Sequence, residues 1–160
     1  MGKSFRRIFP SFKWEDKWLV NQIINQPIIL SRESIGFQSG VPAEEIKNSD
    51  ALIKRWIQES MVGCSCLICF VGEETYTSKW VMYELELARS RKMGRFLLYL
   101  DGMRRADGSI CSLGLDPYLA RGLYADCNSD AYLIQEHHWI NGGFEHIGEW
   151  IESACNQAGK

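Results

Sequence analysis

Three consecutive pieces decide the fold: Cys64-Ser-Cys-Leu-Ile-Cys-Phe-Val71, Gly72-Glu-Glu-Thr-Tyr-Thr-Ser78 and Lys79-Trp-Val-Met-Tyr-Glu-Leu-Glu-Leu-Ala88. The first is almost unbroken apolar sequence, as expected of a strand buried on both faces of a parallel sheet. The second is a short polar loop. It ends in Ser78, whose hydroxyl can accept from the free amides of a first helical turn. The third is helical, and its spacing places Trp80, Glu84, Leu87 and Ala88 on one face. Glu84 is thus a carboxylate inside an aromatic and aliphatic stripe. A charge there is costly unless it has a partner or a task. In open α/β sheets ligands bind at the C-terminal ends of the strands, so Glu84 is the strongest candidate for chemistry.

Strand and helix signals alternate outward from this unit. Phe5 to Phe9 reads as a first strand, closed by Pro10 and Ser11, and Glu15 to Asn25 as a helix stopped before Pro27. Ile28 to Leu30 reads as a short extended piece. Ser31 to Pro42 is loop-like, with a brief strand around Ile35 to Phe37. A helix is expected from Pro42 to about Met61, with Pro42, Glu44 and Glu45 suited to its first turn. Ile46, Ile53, Trp56 and Ile57 form its inner side, and Gly63 ends it. Beyond the Glu84 helix, which Gly94 closes, Arg95 to Leu100 is the next strand and 101–118 a long loop. Ala131 to Ile134 reads as an edge strand, and Phe144 to Cys155 as a closing amphipathic helix. The pattern gives an α/β fold, a three-layer flavodoxin-like domain with a mainly parallel central sheet flanked by helices.

At 160 residues the chain is expected to form one domain spanning 1–160. A formal net charge of −2 supplies no broad basic field, so nucleic acid is not an expected partner. The longest apolar run, Cys64 to Gly72, is far short of the ~20 residues a membrane helix needs. No secretory leader is apparent, and Met1-Gly2 lacks the downstream pattern for myristoylation. Cys64 and Cys66 are expected on one face of their strand and Cys69 on the other, which disfavours a shared metal. Buried, reduced thiols fit a cytoplasmic protein. His137, His138 and His146 match no usual zinc spacing, so no metal is assigned. Arg104-Arg105 with Asp107-Gly108 reads as a solvated turn, Glu73 and Glu74 as solvated side chains. There is no glycine-rich phosphate loop or dinucleotide-binding fingerprint.

The chain resembles the bacterial TIR-like family of Thoeris antiphage defence. The resemblance is carried by Ile8-Phe-Pro-Ser-Phe12, Glu15-Asp16, Val20-Asn21, Leu67 to Gly72, Thr75-Tyr76 and above all Trp80-Val-Met-Tyr-Glu84. It covers about residues 5–100, the expected core, while 101–160 match loosely and form a family-variable C-terminal part. The resemblance implies an NAD+ glycohydrolase or cyclase that releases nicotinamide and makes an ADP-ribose-type, cyclic signal. NAD is then the substrate, and no cofactor is implied. It implies Glu84 as the catalytic acid, with Phe9, Ser11 and Phe12 lining the nicotinamide-ribose pocket and Trp80 forming a wall. It also implies self-association through the 36–48 region, a separate effector protein reached through the nucleotide product, and a phage-derived trigger. Two positions depart from the pattern: Pro10, which removes an amide donor from the strand end, and Lys13-Trp14, where relatives often carry a His-aromatic pair.

One carboxylate is adequate equipment for that reaction. Nicotinamide leaves a pyridinium as a neutral base, so no acid is needed on the leaving group. Positive charge develops at the anomeric carbon instead, and a nearby carboxylate stabilises it. Two alternatives use the same residues differently. A non-enzymatic TIR-like interaction module would need no Glu84, and an assay for NAD cleavage separates it. A nucleoside deoxyribosyltransferase-like enzyme also uses a glutamate at an anomeric carbon, and base exchange on deoxynucleosides would reveal it.

Overall fold

The computed structural model describes residues 5–30, 34–120 and 134–160. Strands β1 (Arg6–Ser11), β2 (Ile35–Phe37), β3 (Cys66–Val71), β4 (Gly94–Tyr99) and β5 (Gln135–His138) form one sheet in the order β2-β1-β3-β4-β5. Every pairing is parallel. Helices α1 (Lys17–Ile24), α2 (Pro27–Leu30), α3 (Asp50–Ser60), α4 (Lys79–Ser90), α5 (Pro117–Ala120) and α6 (Gly143–Gln157) accompany it.

The two-residue alternation of the strands builds two cores. Ile8, Cys66, Ile68, Phe70, Phe96 and Leu98 pack with α1 and α6. Phe9, Leu67, Cys69, Val71 and Leu97 face the other way, onto α3, α4 and Tyr118 of α5. All six residues of β3 are buried, as a strand covered on both faces requires. This is the expected three-layer α/β arrangement.

Several boundaries differ from expectation. Residues 27–30 are helical rather than extended, because Pro27 occupies a first helical position that its fixed φ suits. The helix expected from Pro42 splits into a 3-10 turn, Glu44–Ile46, and α3. Ser49 causes the restart: its Oγ accepts from the Leu52 amide at 3.3 Å. Ile53 and Ile57 face inward as expected, and Gly63 ends the segment at φ +78°. Cys64 belongs to the turn before β3, so alternation does not apply to it. It belongs to the same core as Cys69, and Cys66 lies in the opposite core.

Gly94 is a strand residue rather than a helix terminator. A Cβ there would stand 2.8 Å from the Ala154 backbone of α6. The left-handed turn after α4 falls on Lys92, at φ 55°. The edge-strand expectation at 131–134 falls largely outside the described residues, and β5 occupies Gln135–His138. The closing helix is present, with Ile147 and Ile151 inward, but Phe144 is exposed. Among the described residues no helix is long and apolar enough to cross a membrane.

Candidate functional site

Helix α4 begins where Ser78 Oγ accepts from the Val81 amide at 3.3 Å. Its inward stripe is Val81, Glu84, Leu85 and Ala88, while Trp80 and Leu87 flank it half-buried. The helix therefore turns Glu84 squarely toward the sheet, where it retains 2% exposure. Facing it is Ser11, the last residue of β1 and fully buried. Ser11 Oγ donates to Glu84 Oε2 at 2.5 Å. Among the described residues no cation pairs with Glu84. Arg91, a natural candidate from spacing, donates instead to the Gln58 carbonyl at 3.0 Å.

This environment sets the acidity of Glu84. Burial disfavours the charged form and pushes its pKa up to about 8, with the Ser11 hydrogen bond pulling the other way. Strong displacement of a carboxyl pKa at the end of a parallel strand is a mark of functional sites. Cys69, paired in register with Ser11, is no rival nucleophile, because burial and the nearby Glu84 raise its thiol well above the ordinary range.

The expected pocket residues sort into two groups. Phe9 is fully buried on the Glu84 side, tilted against Trp56 with ring centres 6.3 Å apart. Trp80 stands one helical turn before Glu84, edge-on to Tyr83, with Lys79 Nζ 4.8 Å from its ring centre. Phe12 lies on the opposite side of the sheet, edge-on to Phe70 at 6.5 Å. There it lines a cavity of about 510 Å³ together with Pro10, Trp14, Lys17, Gly40 and Lys47. The structure thus brings Phe9, Ser11, Trp80 and Glu84 to one side of the sheet and leaves Phe12 on the other.

Pro10 fits this strand end without loss. Arg6 N–H donates to Ser34 and the Ile8 carbonyl accepts from Gln38, so even-numbered residues of β1 direct their backbone groups toward β2. The β1–β2 register ends at Ile8↔Phe37, so the amide that Pro10 lacks has no ladder partner to lose. The Pro10 carbonyl instead faces the loop after β2. A Cβ on Gly40 would stand 2.7 Å from that oxygen and 2.5 Å from the Phe12 ring.

Sequence reasoning missed the anchoring role of the two loop carboxylates. Glu73 accepts from the Ser112 amide at 2.7 Å and from Arg105 at 3.2 Å. The Ser112 N–H chiefly holds its pKa below the usual range. Glu74 pairs with Lys13 at 2.9 Å. The loop after β4 is thereby tied to the loop that leads into α4. The turn expected at 104–108 is present, with Gly108 at φ +89° and its amide donating to Arg105. The histidines pack: His137 stacks on Trp150 at 4.1 Å, and His138 stacks on Tyr99 while bonded to Asp101 at 2.6 Å.

The family model described as Thoeris protein ThsB, TIR-like domain, matches residues 9–105, which take in the end of β1, the loop after β2, β3 and α4. The chain is also similar to a Bacillus cereus (strain MSX-D12) protein named "Putative cyclic ADP-D-ribose synthase ThsB1". The two are 24% identical over 156 residues, covering 95% of this chain and 80% of the relative.

Proposed function

We propose, from the premise that this chain belongs to the Thoeris ThsB TIR-like family, that it cleaves the nicotinamide–ribose bond of NAD+ with Glu84 as the catalytic carboxylate. The observation that carries the reading is the buried Glu84–Ser11 pair, 2.5 Å apart, without a cation among the described residues. The name of the Bacillus cereus relative points to the same substrate class.

In this reading the ribosyl end of NAD+ reaches Glu84, with Phe9 and Trp80 as apolar and aromatic surroundings. The C1′–N bond breaks and its electron pair leaves with neutral nicotinamide. The ionised Glu84 stabilises the cation left on the sugar. The arriving pyridinium is itself positive, so it favours the ionised form of a carboxyl that burial alone would keep protonated. Ser11 donates to the same carboxylate and holds it in place. Exclusion of water from Glu84 favours attack on C1′ by a nucleophile from the adenosyl half of the same molecule, which gives a cyclic ADP-ribose. If a hydroxyl attacks, its proton passes to the Glu84 carboxylate.

The loop over 36–48, seated on Pro10 and Phe12 through Gly40, is the proposed self-association element. A phage-derived trigger would promote that assembly, and a separate effector protein would receive the nucleotide product. Incubation of the purified protein with NAD+, with nicotinamide measured and products identified by mass, tests the activity. Nicotinamide released by wild type and not by Glu84→Gln is the expected result. No nicotinamide under any assembly state, followed by sedimentation, would leave the interaction-module alternative and the deoxyribosyltransferase-like one, which base exchange on deoxynucleosides separates.

A further inference from the structure

Cys66 and Cys155 meet at the end of the sheet away from Glu84. Cys66 is the first residue of β3, whereas Ser11 pairs with Cys69 further along that strand. Cys155 lies in the last turn of α6, and both cysteines are fully buried in one core. Gly94 brings them together. It is paired in register with Cys66, and a Cβ on it would stand 2.8 Å from the Ala154 carbonyl and 2.9 Å from the Cys155 amide nitrogen. The missing side chain lets the backbone of α6 settle directly on β4, beside Cys66. A disulfide needs such an approach, because its two Cα atoms must stand within about 7 Å.

The two sulfurs are bonded to each other. Cys66 donates to the Cys155 sulfur, and that hydrogen bond holds the Cys155 thiol below the ordinary cysteine range, opposed by burial and helped by the Arg6 guanidinium. The same bond, together with burial, raises Cys66 well above that range. Arg6 is itself buried on β1 and donates to Glu152, one turn before Cys155, at 3.3 Å. Cys64, Cys69 and Cys111 differ: burial is the chief influence on each and raises its thiol. An ionisable sulfur in contact with a protonated partner is the arrangement of a reactive thiol pair.

We propose that Cys66 and Cys155 form a peroxide-responsive pair whose disulfide staples α6 to β3. Cys155 lies two residues before the end of α6, where Asn156 and Gln157 are exposed. Helix ends open locally at far lower cost than the core, and such opening admits a molecule as small as hydrogen peroxide. The Cys155 thiolate attacks one peroxide oxygen, the O–O bond breaks, and the departing hydroxide takes up the proton that Cys155 released, giving water and a sulfenic acid. When the turn closes, Cys66 attacks the sulfenic sulfur. The S–O bond breaks, and the hydroxide leaves as water with the Cys66 proton. Two thiols are oxidised to one disulfide, and one peroxide is reduced to two waters. The link lies at the opposite strand end from Glu84, so it stabilises the fold without altering the proposed catalytic pair, and it does not rest on the NAD reading.

Treatment of the folded wild-type protein with hydrogen peroxide, followed by denaturation, alkylation of the remaining thiols and peptide mass mapping, tests the pair. The expected product is a Cys66–Cys155 linked peptide, lighter by the two thiol hydrogens and separated again by dithiothreitol. The oxidised protein is expected to melt about 5–10 °C higher than the reduced one, and dithiothreitol is expected to reverse the rise. Cys155→Ser is expected to lose both the link and the rise. The mapping on wild type stands by itself if that variant folds poorly. Cys66 and Cys155 both recovered as alkylated thiols, Cys155 oxidised to the sulfonic acid with Cys66 left free, or a link that does not raise the melting point would each overturn the proposal.

Discussion

Ser11, at the last position of a central strand, spends its hydroxyl on Glu84, a carboxyl one turn past Trp80 on the following layer's helix, at 2.5 Å and almost out of contact with solvent. The pair joins sheet to helix at the end of the sheet where α/β folds place ligands. It is a poor device for stability. A buried carboxyl with one hydroxyl donor leaves most of its desolvation uncompensated, and hydrophobic side chains in the same space would favour folding.

That cost is measurable through pH. The Glu84 pKa is near 8 in the folded protein against an ordinary 4.5. The folded state then holds a proton that the unfolded state releases between these values. By linkage, stability from this group is fully present below about 4.5 and is lost as pH rises toward 8. Glu84→Gln removes the titration. The variant is expected to melt higher than wild type by a margin that grows from pH 5 to pH 8, at about 2–4 °C per kcal/mol for a chain of this size. Nicotinamide release is expected to fall on the order of 10²- to 10³-fold. Parallel melting curves across this range would show that Glu84 does not titrate as described.

The same ionisation governs the rate profile. Only the carboxylate stabilises a sugar cation, so kcat/KM for NAD+ is expected to rise about tenfold per pH unit below pH 8 and to level above it. Initial rates of nicotinamide release from pH 6 to 9 check this. A flat profile, or one falling with pH, would assign the limiting ionisation elsewhere.

Much of this site was legible because two periodicities meet in one short segment. The apolar run of β3 and the three-and-four spacing of α4 place Glu84 inward from sequence alone. Phe12 shows where such reasoning stops. It follows Ser11 by one residue, just past the strand, and strand alternation sends it to the opposite layer from its neighbour. The helix expected from Pro42 failed for a different reason: Ser49 offers its own cap, and a local side-chain bond outcompetes continuous helix. Strand β5 is Gln-Glu-His-His, with no apolar signal. Its histidines gain their burial by stacking on Trp150 and Tyr99, contacts far away in sequence. Glu73 looked solvated because its partners, Ser112 and Arg105, come from the loop after β4.

Ser11→Ala separates positioning from simple burial. The Ser11 hydrogen bond is the influence that lowers the Glu84 pKa against burial. Without it the carboxyl is harder to ionise, so the midpoint of the rate profile is expected to move to higher pH. Activity at pH 7 is expected to drop about tenfold, consistent with losing a hydrogen bond to a charged group. Ser11→Thr keeps the hydroxyl and is expected to restore the midpoint. An unshifted midpoint in Ser11→Ala would reduce Ser11 to a packing residue.

Gly40 tests the loop after β2 from the opposite side of the sheet. A Cβ there would meet the Pro10 carbonyl at 2.7 Å and the Phe12 ring at 2.5 Å. The ring can rotate by a little, but the carbonyl belongs to a strand held by its register with β3. The loop is therefore the part that must move. Gly40→Val is expected to lift the loop off β1, destabilise the fold by roughly 1–3 kcal/mol as overpacking does, and leave the sheet intact. If the loop completes the site, nicotinamide release and sedimentation-detected assembly fall together in this variant while the Glu84-linked pH dependence of melting persists. Wild-type activity from a Gly40→Val protein whose melting point has dropped would show that the loop only covers the strand end.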